Sequence, residues 1–256
     1  MSKRKKFIFT SVALTLGFLL VQLVEDQYRL LGISGLTVLS VVLFSWSLKD
    51  GLGRNATLYS LILPPMFTIG VGLFWFLLPS SMFTRVPVLI FYWLGVYSLC
   101  LTSNIFTVAA IRTIALARAA KGVGFVLTLI TSFLVFDAIF SIKADIFLHV
   151  ASVMFVSFLL FVQGFWSSDL SKEFRLEINA LSGVSAYLVG QIAAILYFWP
   201  VTVVVGSIFI TAAIYIFLGL GQSYIEDRLF RQTVKDYVML GVLVFSAMLF
   251  VTRWGG

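Results

Sequence analysis

Long apolar runs separated by short polar segments make up most of the chain. Each run approaches the roughly 20 residues that an α-helix needs to cross a bilayer. The apolar residues are continuous rather than alternating, which argues against the strands of a membrane barrel. The pattern predicts nine transmembrane helices, at about 7–24, 30–48, 56–79, 86–110, 123–141, 146–166, 181–198, 201–221 and 238–252. We therefore expect an all-α polytopic bundle that forms one integral membrane domain over residues 1–256.

Composition excludes a soluble fold. Apolar residue types make up 61% of the chain and charged types 11%, against roughly 45–50% and about 25% in soluble domains. Too few polar residues remain to cover such a core. In a soluble protein the net charge of +7 would suggest nucleic acid, but here the charges lie beside predicted spans. We therefore expect a lipid bilayer, and no nucleic acid, as the main partner.

The basic residues predict the orientation of the chain. With the N-terminus in the cytoplasm and every span crossing, most of the 18 lysines and arginines fall on the cytoplasmic side. The exceptions are Arg29, Arg85, Lys143 and Arg253. This bias follows the positive-inside rule. It predicts a cytoplasmic N-terminus, an external C-terminus and a location in a cell membrane, of the prokaryotic cytoplasmic type.

The third span contains a proline pair near its middle. Pro64 and Pro65 remove two backbone donors, and Thr68 follows one turn later. Broken helices at mid-depth often hold the substrate sites of transporters, because freed backbone groups can bind a ligand. Asn104 and Gln191 are polar residues within other spans. These five residues are our candidates for a transport pathway; the alternative is a packing kink with two interhelical hydrogen bonds.

A second group of candidates lies at the external ends of spans. Asp137 comes late in the fifth span, while Asp145 and His149 are four residues apart at the start of the sixth. Ionisable residues inside spans are costly and often functional. The alternative is a hydrated ring of charges that holds the external loops together.

A third group forms a basic corner between the fourth and fifth spans. Arg112, Arg118 and Lys121 could bind a phosphate or an anionic lipid headgroup at the cytoplasmic face. The alternative is that they only set the topology. Residues 222–237 carry an apolar stripe of Ile225, Leu229 and Val234, which predicts an amphipathic helix on the same side.

One short motif is shared with a known enzyme family. The sequence Gly32-Ile33-Ser34-Gly35, with His149 in a later span, is similar to the serine–histidine dyad of the rhomboid intramembrane proteases. The resemblance implies peptide hydrolysis within the membrane. The spacing is longer than in that family, and Ala151 and Ser152 stand where glycines usually follow the histidine. The alternative is close packing of small residues.

Three classes of function stay open from the sequence. The first is a small transporter or permease-like protein, and the second is a non-catalytic membrane scaffold or accessory subunit. The third, more remote, is an intramembrane serine hydrolase. Cys100 and His149 are the only residues of their types, so metal sites built from several such ligands are excluded. We expect no cofactor and no metal.

Overall fold

The computed structural model describes residues 2–49, 58–78, 82–109, 116–170 and 175–252. This part of the chain is helical and contains no strand. Nine helical segments in it are long and apolar enough to cross a membrane. The prediction of an all-α bundle with nine spans is therefore confirmed for these residues. Helices suit the bilayer because they satisfy every interior backbone hydrogen bond within one segment.

The helices are numbered in chain order. They are α1 Lys3–Leu23, α2 Arg29–Leu48, α3 Leu63–Trp75, α4 Met82–Ala109, α5 Ala117–Ser141, α6 Ile146–Asp169, α7 Leu176–Tyr197, α8 Val203–Ile225 and α9 Arg231–Val251. A short 3₁₀ helix, Asp26–Tyr28, precedes α2. The chain forms two compact units, one of residues 1–135 with 170–174 and one of residues 136–169 with 175–256.

An aromatic cluster forms the core of the first unit. Here α1 packs against α2 and α4, and α3 packs against the same two helices. The ring of Phe18 lies 4.9 Å from that of Tyr92, and Phe67 stacks on Tyr92 at 6.0 Å. Gly95 lets the Phe67 ring approach α4, because a Cβ atom there would overlap the ring. Because glycine has no side chain, the two helices can pack closely at this position.

The second unit is built on the pair α6 and α7. They pack along their length, α8 contacts both, and α9 packs mainly against α8. Glycines again allow close approach, since a Cβ atom at Gly190 would overlap Met154 and one at Gly164 would overlap Leu218. Phe165 and Trp166 are fully buried in this unit.

The third span is broken near its start rather than at its middle. Helical residues 58–60 are followed by a turn at 61–62 before α3 begins. Pro64 and Pro65 lie in the first turn of α3, where proline is tolerated. A continuous helix would need their missing N–H groups to bond the carbonyls of residues 60 and 61. The break therefore lies closer to residue 58 than to the centre of the span Leu58–Leu77.

Helix α9 is the least enclosed of the nine described spans. Only 6% of its apolar window is buried, against 28–56% in the others. It begins at Arg231, well before the predicted 238. The amphipathic extension predicted over 222–237 is divided between two helices. Its first part ends α8, a turn with Asp227 at φ 54° follows, and its last part begins α9.

Candidate functional site

A buried polar contact between side chains of the second unit joins α5 to α8. Asp137 is 3% exposed, and the Ser207 hydroxyl donates to its Oδ1 over 2.9 Å. The same hydroxyl lies 2.7 Å from the carbonyl oxygen of Val203 in its own helix. Within the described residues, Ser207 is the side-chain donor to the Asp137 carboxyl group. The carboxyl group is thus held in an apolar bundle by one side-chain donor.

His149 lies in the first turn of α6 and is also buried, at 5% exposure. Its ring meets Phe140 edge-on at 4.6 Å and lies 5.5 Å from the ring of Tyr197. Its Nε2 has no hydrogen-bond partner among the described residues. The Tyr197 hydroxyl donates to the carbonyl of Ala144 over 3.2 Å, which fixes that ring. His149 therefore contacts two aromatic rings, and its Nε2 is unpaired within the part of the chain that the structure describes.

Asp145 and His149 do not act as a pair. The Asp145 carboxylate is exposed and accepts the backbone N–H of Leu148 over 3.2 Å, so it caps α6. Its carbonyl accepts the N–H of His149 over 2.9 Å. The side chain of His149 turns inward instead. Within the described residues, no side-chain hydrogen bond or ion pair joins His149 to Asp145 or to Asp137.

Phe140 contacts neighbouring residues on both α6 and α8. It follows Asp137 by about one turn on α5, contacts His149, and faces Gly206 on α8, where a Cβ atom would lie 2.8 Å from its ring. The arrangement can hold α5, α6 and α8 together at this end of the unit.

Among the candidate pathway residues of the first unit, the Thr68 side chain is hydrogen-bonded to its neighbours, and the bond given by Asn104 is at its backbone carbonyl. Thr68 is buried, and its hydroxyl lies 3.0 Å from the carbonyl oxygen of Pro64 and 3.1 Å from the hydroxyl of Tyr92. Pro64 is buried and Pro65 is half-buried. Asn104 is half-buried, and its carbonyl accepts the Thr107 hydroxyl over 2.9 Å. None of these contacts creates an open polar site.

Gln191 has a different position. It belongs to the second unit and is exposed on the outer face of α7. The five candidate pathway residues are thus divided between the two units. A transport pathway built from them stays a prediction.

The basic corner is described only in part. Arg118 is exposed and Lys121 is half-buried at the start of α5, while Arg112 lies outside the described residues. Binding of an anionic headgroup there also stays a prediction. In the rhomboid-like motif, Ser34 is exposed and its hydroxyl donates to the Leu30 carbonyl over 2.9 Å, as in an ordinary helical serine.

The larger cavities at span depth are lined by apolar side chains. One of about 560 Å³ lies in the first unit between α3, α4 and α5, beside Val71, Pro87 and Leu129. Two others, of about 260 and 170 Å³, flank α9 in the second unit. A polar cavity of about 350 Å³ lies at the ends of α6, α7 and α8, near Asp169 and Arg175.

Sequence reasoning missed the partners of the buried groups. Ser207 is one serine within a long apolar run, and only its position on α8 places it against Asp137. Gln222 was also missed; its amide donates to the Gly164 carbonyl over 3.0 Å. Gln222 lies one residue beyond the predicted span 201–221. For Ser207 the only signal was a polar side chain within a predicted span. That signal does not identify the facing helix.

Comparison with known families gives one match. The family described as protein of unknown function (DUF5656) matches residues 10–251, so the chain belongs to that family. No curated protein and no solved structure matches the chain.

Proposed function

We propose that this member of the DUF5656 family is a non-catalytic membrane scaffold or accessory subunit. One observation carries the proposal: three described cavities along the spans are lined by apolar side chains, and the buried candidates Thr68 and Asp137 are hydrogen-bonded to neighbouring helices. A transporter needs a polar, water-accessible site at mid-depth. A scaffold needs only a stable bundle with surfaces that partners can contact.

The buried hydroxyl groups support this choice. Many buried serines and threonines donate to a carbonyl one turn earlier in their own helix, and so need no water. Examples from both units are Thr131 to Leu127 at 2.7 Å and Ser182 to Ile178 at 2.7 Å. Such back-bonding is the usual way for a helix to keep a hydroxyl in an apolar setting.

Helix α9 is the surface on which a partner is expected. It is long enough to cross the membrane, but the other described helices bury only 6% of its apolar window. Its exposed residues include Val242, at 61% exposure. A photoreactive benzoylphenylalanine at Val242, expressed in the native membrane, tests the idea. We expect one or a few discrete protein adducts, and none from the matched position Met248, which is 4% exposed on the same helix. Adducts to lipid alone would contradict the proposal.

A second candidate function is ion-coupled transport, and the buried Asp137 is the observation that favours it. A carboxyl group in a membrane bundle is expensive and often carries protons. The purified protein in liposomes containing a pH-sensitive dye tests this under an imposed membrane potential. Proton flux that Asp137→Asn abolishes and Asp145→Asn preserves would favour transport. Equal, background flux in all three proteins would favour the scaffold.

A further inference from the structure

The outward face of α7 carries a polar residue within an apolar stripe. Residues spaced by three or four positions are exposed there: Val184 at 58%, Tyr187 at 55% and Ile195 at 59%. Gln191 lies in the same stripe and is exposed. The opposite face, with Val189 and Ala193, is fully buried against the unit. Gln191 is thus directed away from its own bundle.

Gln191 lies deep in the span. Trp199 follows the end of α7, and tryptophan prefers the membrane interface. The eight residues between the two positions correspond to about 12 Å along a helix, so Gln191 lies well inside a hydrocarbon core about 30 Å thick. Lipid chains offer neither donors nor acceptors to its carboxamide. Within the described residues, the carboxamide has no hydrogen-bond partner, which is costly at this depth.

We propose that the outward face of α7 is a contact between two copies of this chain, joined by hydrogen bonds between their Gln191 side chains. A carboxamide contains both a donor and an acceptor, so it can pair with an identical group. A two-fold axis along the membrane normal brings equivalent residues of two copies together. A different membrane protein would need to carry its own polar group at this depth, whereas a second copy supplies one by symmetry.

The neighbouring side chains fit such a contact. Nothing lies within 4 Å of the position that a Cβ atom would occupy at Gly183, so the first part of α7 can approach another helix closely. Val184 and Ile195 then pack on either side of the Gln191 pair. The proposal does not depend on the scaffold function, since a transporter could also be a dimer.

Cysteine cross-linking in liposomes of phosphatidylcholine and phosphatidylglycerol tests the contact. The background is Cys100→Ser, with a single cysteine introduced at Ile195 or, as the control, at Val242 on α9. Both native side chains are similarly exposed, at 59% and 61%. We expect oxidation to give disulfide dimers at Ile195→Cys and little product at Val242→Cys. The Ile195→Cys disulfide dimer should persist when the protein is diluted with more lipid, because a specific contact does not depend on random collisions.

The role of Gln191 is tested in the same background. Gln191→Leu should weaken dimerisation about tenfold, equivalent to about 1.4 kcal/mol, as expected for two interhelical hydrogen bonds in a membrane. Gln191→Asn should retain part of the dimer. Because this face is exposed, neither change should alter folding, which circular dichroism checks. Equal cross-linking at both cysteines, a monomer at all dilutions, or full dimerisation of Gln191→Leu would overturn the proposal.

Discussion

The contact between Asp137 and Ser207 predicts an asymmetric response to mutation. In Ser207→Ala the Asp137 carboxylate, 3% exposed, loses its recorded side-chain donor. Leaving a buried polar group unpartnered costs about 1–3 kcal/mol. In Asp137→Leu, by contrast, the Ser207 hydroxyl donates its one proton to the Val203 carbonyl, 2.7 Å away. We therefore expect Ser207→Ala to destabilise the protein more than Asp137→Leu does.

A double-mutant cycle measures the contact itself. Interhelical hydrogen bonds in membrane proteins average about 0.6 kcal/mol and reach about 1.7 kcal/mol. Because Asp137 has no other recorded side-chain partner, we expect a coupling energy near the upper value. In the Asp137→Leu background, Ser207→Ala should then cost less than about 0.5 kcal/mol. Unfolding in mixed micelles by added dodecyl sulfate, followed by circular dichroism, gives each free energy of unfolding.

The control for this cycle is Ser152→Ala. The half-buried Ser152 donates its hydroxyl over 2.7 Å to the Leu148 carbonyl in its own helix. Its removal should change the free energy of unfolding by less than about 0.5 kcal/mol. A coupling energy below about 0.3 kcal/mol between Asp137 and Ser207 would refute the reasoning, since independent sites add within that range.

Two further predictions concern local packing and capping. Gly95→Ala should destabilise the first unit by about 1–3 kcal/mol, because the added methyl group would clash with the buried Phe67 ring. The control Gly122→Ala should be neutral or stabilising, since there is open space around Gly122. Chemical unfolding measures both variants, and equal effects would contradict the packing. Asp145→Ala should lower the free energy of unfolding by about 0.5–2 kcal/mol, because it removes the cap of α6. Asp145→Asn should retain most of the stability. Hydrogen exchange at the Leu148 amide distinguishes the two variants, and equal protection in both would exclude the cap.

The sequence predicted the spans because lipid imposes a simple requirement. A segment that crosses the bilayer must be apolar over its whole length and must satisfy its own backbone, so each span is visible as a run. The sequence predicted the break at the prolines, near the middle of the span, but the turn comes before Pro64 for a physical reason. Proline disrupts the carbonyls of the preceding turn, and its own position then becomes the first turn of the next helix.

The polar sites were harder to predict, because the sequence does not show which helices pack against each other. Asp137 was recognisable as a polar residue in a span, but Ser207 became its partner only through the packing of α8. Gln191 was interpreted as part of an interior pathway. The run containing it does not reveal which side of α7 faces the bundle, since both sides are apolar. Only the structure places it on the exposed side.

The accessibility of mid-depth positions to water tests the central claim most directly. In the Cys100→Ser background, single cysteines at Thr68, Asn104 and Gln191 are treated with a membrane-impermeant thiol reagent from each side. A cysteine at Asp145, which is exposed at the end of α6, shows that the reagent works. A scaffold with a dry interior predicts labelling at Asp145 alone. Labelling at Thr68 or Asn104 would mean that water reaches the interior, and would contradict the scaffold in favour of transport.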